Sequence, residues 1–159
     1  MESKAKVVVL GESTGGYSVD AGRRLLGGAL EQSVILAGGR VDEKQALFEW
    51  NHTESKRVYH QRLRPVLLEH MNGDLHGKRI VEIDGMAVAP LICYEGAVPY
   101  PFTTALYYKP DAILSIANFS WSRNDAYFER VLRAHVSAWG RIWSIPTLVA
   151  VNSRSKANV

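Results

Sequence analysis

The sequence contains a single cysteine among its 159 residues. No internal disulfide bond is therefore possible, so a reducing compartment is allowed, although the count does not prove one. The chain also has no run near the roughly 20 apolar residues that span a bilayer. Its N-terminus lacks the apolar core of a signal peptide. Taken alone, these absences predict a soluble protein.

A dense patch of positive charge is absent too. The net charge is only +3, and the basic residues are scattered along the chain. Surfaces that follow nucleic-acid phosphates usually carry a denser basic patch, so we expect no nucleic-acid partner. Four histidines lie in separate polar stretches, without the pairing typical of metal ligands: His52, His60, His70 and His76. We therefore expect neither a metal nor a cofactor.

The composition is that of one globular domain covering residues 1–159. Hydrophobic residues make up 47% and charged residues 22%, in a chain long enough to bury a sizeable core. Apolar runs predict strands at 6–10, 33–37, 45–51, 57–63, 79–83, 86–93, 112–117 and 147–151. Helical spacing predicts helices at 18–32, 103–108 and 125–143. This order indicates an α/β fold with a mixed sheet, followed by a frayed tail at 153–159.

Local signals predict several of these boundaries. Gly38 and Gly39 close the second strand, and Asp84-Gly85 marks a hairpin turn between the fifth and sixth strands. The helix at 103–108 ends before Pro110, because proline disfavours helix in the preceding residue. In the helix at 125–143, the positions at helical spacing expected to face the core are Phe128, Val131, Leu132, His135, Trp139 and Ile142.

The only cysteine, Cys93, ends an apolar run where a buried strand would surface into a turn. Glu95 follows two residues later, and Gly96 allows the backbone to change direction. A thiol at such a strand end is where a nucleophile can be held rigidly with one side open. The alternative is that Cys93 is a small core residue, as most cysteines outside disulfides are.

A second carboxylate follows the first predicted strand. Residues 11–18 form a glycine-rich loop placed like a nucleotide-binding P-loop, but Tyr17 replaces the lysine that contacts the phosphates. Glu12 adds a negative charge there, so the pattern opposes triphosphate binding. At the end of a buried strand, Glu12 suits a general base, because partial burial raises a carboxyl pKa toward working pH. It can equally cap the following loop.

Asn118 and Trp121 follow the strand predicted at 112–117. If this strand runs parallel to the strand at 86–93, their loops converge at the same sheet edge as Cys93, the usual place for a site in open α/β sheets. Two interpretations of the tryptophans stay open, the lining of an acyl pocket or core packing, which is commoner: Trp121, Trp139 and Trp143.

The segment Leu91-Ile-Cys-Tyr-Glu95, with Glu12 upstream and the strand and loop at 111–121 downstream, resembles the nitrilase or carbon–nitrogen hydrolase superfamily. Within it, the likeness is to the apolipoprotein N-acyltransferase branch and its conjugal-transfer (TraB-type) relatives, where Ile-Cys-Tyr-Glu is the nucleophile turn. A helix like that at 130–141 and a strand ending in Asn152 continue the likeness.

The resemblance implies a four-layer α-β-β-α sandwich, here expected to be incomplete at both ends, and thiol-based acyl transfer. It implies that Cys93 is the nucleophile, that Glu12 is the base that activates it, and that Glu95 is a further carboxylate beside it. The expected substrate is an acyl or amide compound. The residues expected to contact it are Tyr94, Asn118 and Trp121.

The lysine that completes the family's site has no counterpart in this sequence. Residues 59–65 resemble the segment that carries it, but Gln61 or Arg62 stands at that place. One of these two side chains would then have to stabilise the oxyanion. The usual proline before the base is replaced by Gly11.

Two functions stay open from the sequence. One is a cysteine-nucleophile carbon–nitrogen hydrolase or N-acyltransferase that acts through a thioester. The other is a non-catalytic conjugal-transfer assembly or interaction protein that retains the fold, in a plasmid-borne bacterial setting. We expect a cytoplasmic location if the chain is complete, and membrane association if it is a fragment of a longer acyltransferase-like protein. Exposed sheet edges predict a homo-oligomer or a partner chain.

Overall fold

A computed structural model describes residues 7–11, 34–41, 44–50, 55–61, 79–83 and 85–153. In these ranges the strands are β1 (Val7–Val9), β2 (Val34–Val41), β3 (Lys44–Trp50), β4 (Ser55–Gln61), β5 (Val81–Ile83), β6 (Met86–Ile92), β7 (Ala112–Asn118) and β8 (Thr147–Asn152). The helices are a short 3₁₀ helix (Cys93–Ala97), α1 (Pro99–Leu106) and α2 (Asp125–Trp143). The helix predicted at 18–32 and the end of the tail, 154–159, lie outside the described residues.

The described strands form two four-stranded sheets. Sheet A has the order β1-β2-β3-β4, and sheet B has the order β5-β6-β7-β8. In sheet A, β1 and β2 are parallel. The next two pairs, β2 with β3 and β3 with β4, are antiparallel. In sheet B, β5 and β6 form an antiparallel hairpin, and β6, β7 and β8 are parallel. Both sheets are mixed, which confirms the predicted α/β fold.

The two sheets pack face to face around an apolar layer, the inter-sheet layer. Leu36 and Leu47 of sheet A lie in one cluster with Ile92, Leu114 and Ile116 of sheet B. Both β6 and β7 are nearly continuously buried, as their uninterrupted apolar sequences predict for strands covered on both faces. The short β5 is instead buried on one face only, because Glu82 alternates with two apolar residues.

The other face of sheet B is covered by the two helices. Phe102 of α1 and both Leu132 and Val136 of α2 are buried against Ile113 of the sheet. Phe102 also stacks on Trp139 with ring centroids 5.4 Å apart, which ties α1 to α2. Helix, sheet B and sheet A therefore form three successive layers.

Sheet A is buried on its far face as well. Ile35, Ala37, Ala46 and Phe48 form a separate buried cluster on that side. Strands buried on both faces are expected where layers cover both sides of a sheet. No helix in the described part of the chain has the length and apolar character needed to cross a membrane.

Several predicted boundaries differ from the structure, and two of them are wrong by four residues. The second strand does not close at Gly38 and Gly39 but continues to Val41, because both glycines keep their pairing with β3. The helix α1 spans Pro99–Leu106, although the sequence predicted a helix at 103–108. Proline suits the first turn of a helix, where its missing N–H is not needed.

The predicted bounds of the long helix are confirmed, but its predicted buried face is only partly right. Leu132, Val136 and Gly140 are the buried residues of α2, spaced four apart along one stripe. His135 is exposed, and Ile142 is 67% exposed. The periodicity of apolar residues identified the helix, but it could not say which of two adjacent faces meets the sheet.

The buried stripe of α2 gives a test by mutation. Replacing Leu132, which is 2% exposed, with alanine leaves a cavity against sheet B, so we expect a loss of about 2–5 kcal/mol in the free energy of unfolding. The matched control is Ile142→Ala on the same helix, expected to change it by less than about 0.5 kcal/mol. Urea denaturation measures both, and equal losses would contradict the assigned face.

Candidate active site

The carboxyl ends of three parallel strands bring the predicted site residues of sheet B to one edge. Cys93 directly follows β6, while Asn118 and Asn152 are the last residues of β7 and β8. Ile92 pairs with Ile116, and Asn118 pairs with Asn152, so these ends lie side by side. The predicted convergence of the loops after β6 and β7 is therefore confirmed, because the two strands are parallel.

Cys93 has a left-handed backbone conformation, with φ of 56°. This conformation is uncommon for any residue but glycine and costs of order 1 kcal/mol or more. In a regular strand, successive side chains alternate between faces, so Cys93 would share the helix side of the sheet with Leu91. The turn breaks this alternation, and Cys93 joins Ile92 in the inter-sheet layer.

The sequence suggested a thiol with one side open to solvent. In the structure Cys93 is buried, with 8% of its surface exposed. In the described part of the chain, no three His, Cys, Asp or Glu residues are grouped as a metal site would require.

The carboxylate of Glu95 holds this turn together. Glu95 has no exposed surface, and its Oε2 accepts a hydrogen bond of 2.9 Å from the backbone N–H of Ile92. A buried N–H without an acceptor would destabilise the fold, so this bond satisfies a donor that water cannot reach. Because Ile92 immediately precedes Cys93, the bond fixes the backbone that positions the thiol. This geometry suits a residue that orients the turn carrying the thiol.

Gly96 is required by close packing and not by an unusual backbone angle. A Cβ atom placed there would lie 2.7 Å from Ser115 Oγ, 2.8 Å from Leu132 Cδ1 and 3.0 Å from Val136 Cγ2. Glycine therefore lets the 3₁₀ helix press directly on β7 and α2. The turn that carries Cys93 is therefore held by contacts with β7 of sheet B and with helix α2.

The loop after β7 is built by its own polar groups. Asn118 Oδ1 accepts hydrogen bonds from the backbone N–H and the hydroxyl of Ser120, at 3.1 Å and 2.7 Å. The backbone carbonyl of Asn118 accepts a third, of 2.8 Å, from the indole N–H of Trp121. The oxygens of Asn118 thus shape the loop.

Trp121 does not pack in the core, nor does Trp143. They are 68% and 51% exposed, so the core interpretation of these two tryptophans was wrong. Trp121 extends an aromatic group in which its ring lies 6.3 Å from that of Phe128, which in turn lies 5.8 Å from Phe119. Only Trp139 has the expected packing role, through its stack on Phe102.

Sheet A contributes strand ends to the same region. Since β1, β2 and β4 run in one direction, Gly11 and Gln61 lie toward the same end of that sheet. Gly11 meets the end of β8 so closely that a Cβ there would lie 2.4 Å from the backbone nitrogen of Asn152. The sequence did not predict this contact, although a glycine before a predicted base was a visible signal.

Three of the predicted site residues are not seen in full. Glu12 and Arg62 lie outside the described residues, and for Gln61 only the backbone is described. Tyr94, which follows the thiol, is half-buried in the 3₁₀ helix. The structure therefore brings together Cys93 and Glu95 with the strand end that carries Asn118.

Comparison with solved structures confirms the resemblance at the level of the fold. A mutant of an amidase from the nitrilase superfamily of Nesterenkonia AN1 has a TM-score of 0.64 and 18% identity, covering 95% of this chain and 64% of that one. A carbon–nitrogen hydrolase from Helicobacter pylori G27 has a TM-score of 0.69 and 8% identity, covering 92% and 61%. The chain thus has the nitrilase-superfamily fold. It spans less than two thirds of the length of each of these two proteins.

Another mutant of the Nesterenkonia amidase carries the acetamide moiety of fluoroacetamide covalently added at its active-site cysteine. It matches with a TM-score of 0.63 and 15% identity, covering 92% of this chain and 63% of that one. No family model matches the chain.

Two curated relatives have names from conjugal transfer. The probable conjugal transfer protein TraB of Sinorhizobium fredii (strain NBRC 101917 / NGR234) is 30% identical over 74 residues, which are 46% of this chain and 19% of that protein. The conjugal transfer protein TraB of Agrobacterium fabrum (strain C58 / ATCC 33970) is 30% identical over 73 residues, or 46% and 17%. These alignments cover under one fifth of either relative.

The hydrogen bond between Ile92 and Glu95 gives a prediction for the cysteine turn. Glu95→Ala leaves a buried N–H without its acceptor, so we expect a loss of about 1–3 kcal/mol in unfolding free energy and slower alkylation of Cys93 by iodoacetamide. Glu95→Gln keeps an acceptor oxygen and should largely restore the alkylation rate. Glu82→Ala, at an exposed carboxylate, is the control. Equal damage from alanine and glutamine would contradict the prediction that an acceptor oxygen at this position is enough to hold the turn.

Proposed function

We propose that the protein is a cysteine-nucleophile carbon–nitrogen hydrolase or N-acyltransferase that acts through a thioester. The observation that carries this proposal is the left-handed turn at Cys93, which turns the only thiol of the chain into the inter-sheet layer. A small residue that only fills space in the core does not need a left-handed backbone. Backbone strain of this kind is concentrated at functional sites. The likeness to nitrilase-superfamily amidases adds support from the fold.

The proposed reaction has two steps. In the first, the sulfur of Cys93 forms a bond to the carbonyl carbon of an amide while Glu12 takes the thiol proton. The carbon–nitrogen bond then breaks, and the departing amine takes that proton from Glu12. In the second, water or an acceptor amine attacks the thioester and loses a proton to Glu12; the carbon–sulfur bond then breaks, and Glu12 returns the proton to the sulfur of Cys93.

Glu95 does not suit the role of proton carrier. Its carboxylate is wholly buried and already accepts the Ile92 N–H, so it is a positioning residue that keeps the thiol in place. We propose that Glu12 and Glu95 divide their roles. Glu12 moves protons, and Glu95 fixes the turn.

The oxyanion of the tetrahedral intermediate needs a donor. Gln61 ends β4 at the same end of sheet A as Gly11, and Arg62 follows it, so either can take the place of the family's lysine. The Nδ2 group of Asn118 is a further donor at the neighbouring strand end. We propose that one of the first two residues supplies the principal hydrogen bond.

A second function is favoured by the names of the curated relatives. Both are conjugal transfer proteins, and their alignments cover 46% of this chain. A non-catalytic role in conjugal transfer would keep the fold and require no reactive thiol. The chemistry of Cys93 therefore separates the two candidates.

The first test measures the alkylation rate of Cys93 by iodoacetamide against pH. We expect reaction well below pH 8.5, which is about the pKa of an ordinary thiol, because a nearby base assists the loss of the proton. Glu12→Gln should slow alkylation near pH 7, whereas Glu82→Gln on the exposed side of β5 should not. A thiol that is inert, or indifferent to Glu12, would reject the catalytic function and leave the conjugal-transfer role.

The second test concerns the oxyanion donor, with p-nitrophenyl acetate as the probe. If Gln61 or Arg62 supplies the hydrogen bond, alanine at that position should lower kcat by about 10²–10³, while alanine at the other should change it little. Lysine at the sensitive position should retain or raise kcat. No effect from either alanine variant would show that the oxyanion is stabilised elsewhere.

A further inference from the structure

Three aromatic side chains are exposed together where the loop after β7 meets the first turn of α2. Trp121 is 68% exposed, Tyr127 is 57% exposed and Phe128 is 39% exposed. Their rings pack on one another, because the centroid of Phe128 lies 6.3 Å from that of Trp121 and 5.7 Å from that of Tyr127. These three residues are the aromatic surface. Contiguous exposed apolar area marks an interaction site, whereas single exposed apolar residues are ordinary.

The aromatic surface lies on the opposite side of sheet B from the thiol. Phe119, whose ring centroid is 5.8 Å from that of Phe128, is buried in the cluster between sheet B and the two helices. Cys93 is buried in the inter-sheet layer, which is on the other face of that sheet. The chemistry proposed for Cys93 therefore does not account for these exposed rings.

The ring of Trp121 is held in place although it is exposed. Its indole N–H donates a hydrogen bond of 2.8 Å to the backbone carbonyl of Asn118, the last residue of β7. The loop that carries the ring is fixed as well, because Asn118 Oδ1 accepts both the N–H and the hydroxyl of Ser120. A side chain that is already fixed loses little conformational entropy when a partner covers it. Trp121 is thus pre-organised for binding.

Two arginines beside the aromatic surface are exposed and unpaired. Arg123 lies in the loop two residues after Trp121, and Arg130 lies three residues after Tyr127, on the same face of α2. Neither guanidinium has an ion-pair or hydrogen-bond partner among the described residues. Tryptophan, tyrosine and arginine are the residue types most enriched among the side chains that dominate binding energy at protein interfaces. The surface therefore has the composition of an interface centre.

The carboxylates of the same segment, 119–133, are engaged within the chain. Asp125 Oδ1 accepts the backbone N–H of the next residue at 2.7 Å. Glu129 pairs with Arg133 at 2.8 Å, and its other oxygen accepts the hydroxyl of Ser153 at 3.2 Å. The unpaired charges of this segment are therefore both positive, and they complement a negatively charged partner.

We propose that the aromatic surface docks an acidic segment of a partner protein. An apolar side chain of that segment packs on Trp121 and Tyr127, while its carboxylates pair with Arg123 and Arg130. The inference does not rest on the proposed function, since it holds whether or not Cys93 is reactive.

Two other occupants fit this surface less well. A symmetric contact between two copies places the same surface on both sides, so it would bring the unpaired guanidiniums together without free carboxylates to meet them. Nucleic acid is disfavoured because the rings of Tyr127 and Phe128 meet edge to face at 71° and so do not form parallel platforms for successive bases. Surfaces that follow phosphates also carry a denser basic patch than two arginines.

The test uses a phage-displayed library of random peptides that is first depleted on Trp121→Ser and then selected on the wild-type chain. We expect the recovered peptides to combine carboxylates with an aromatic or long aliphatic side chain. Tyr127→Ser, which plays no part in the selection, should weaken their binding by about 30-fold, as for a residue at an interface centre. Trp143→Ser is the matched control, because Trp143 is 51% exposed but lies at the far end of α2. Fluorescence polarisation of the labelled peptides measures each affinity.

A second measurement addresses the charges. Arg130→Glu should weaken binding of the same peptides by about tenfold at low salt, because it places like charges opposite each other. The difference from wild type should shrink as NaCl is added, since salt screens exposed charges. Arg141→Glu, at another exposed arginine of α2, should change the affinity little.

Several outcomes would overturn the proposal. Recovery of no peptide, recovery of peptides without carboxylates, or equal losses in Arg130→Glu and Arg141→Glu would reject an acidic partner. If a labelled single-stranded oligonucleotide or phosphatidylglycerol vesicles bind through Tyr127 and Arg130 and no peptide does, the surface belongs to nucleic acid or lipid. A dimer that Tyr127→Ser dissociates would assign it to a second copy. Because alkylation of Cys93 is measured separately, failure here leaves the proposed function standing.

Discussion

The hydrogen bond from the Ile92 amide to the Glu95 carboxylate is the constraint on which the candidate site depends. It closes a turn in which Cys93 has a positive φ, and Gly96 lets that turn pack directly on its neighbours. Strain of this kind persists only where the surroundings over-determine the conformation. Here a buried hydrogen-bond acceptor, the strand β7 and the helix α2 all act on the five consecutive residues 92–96.

Strand direction decides which other groups can approach the thiol. Three parallel strands of sheet B end at one edge, and the parallel β1 of sheet A ends against β8 where Gly11 meets Asn152. Because Gly11 has no side chain, the backbone of sheet A can approach the end of β8 directly at this point.

The exposed aromatic residues show that residue type alone does not predict which side chains are buried. Trp121 is largely exposed, but its indole nitrogen is bonded to the Asn118 carbonyl, so the ring is fixed without being buried. The α2 helix gives a similar lesson. Its apolar positions cover more than one face, and only contact with sheet B selects the stripe through Leu132 and Val136.

The sequence by itself determined the strand and helix types, the hairpin at Asp84-Gly85, the bounds of α2 and the fold class, because these follow from local periodicity and turn chemistry. It also singled out Cys93 and Glu95 as neighbours. Only the tertiary structure decided which face the thiol occupies and that Glu95 orients the turn. It also showed that Gly11 touches β8. Those outcomes depend on a left-handed backbone angle and on contacts between distant segments, which local sequence patterns do not encode.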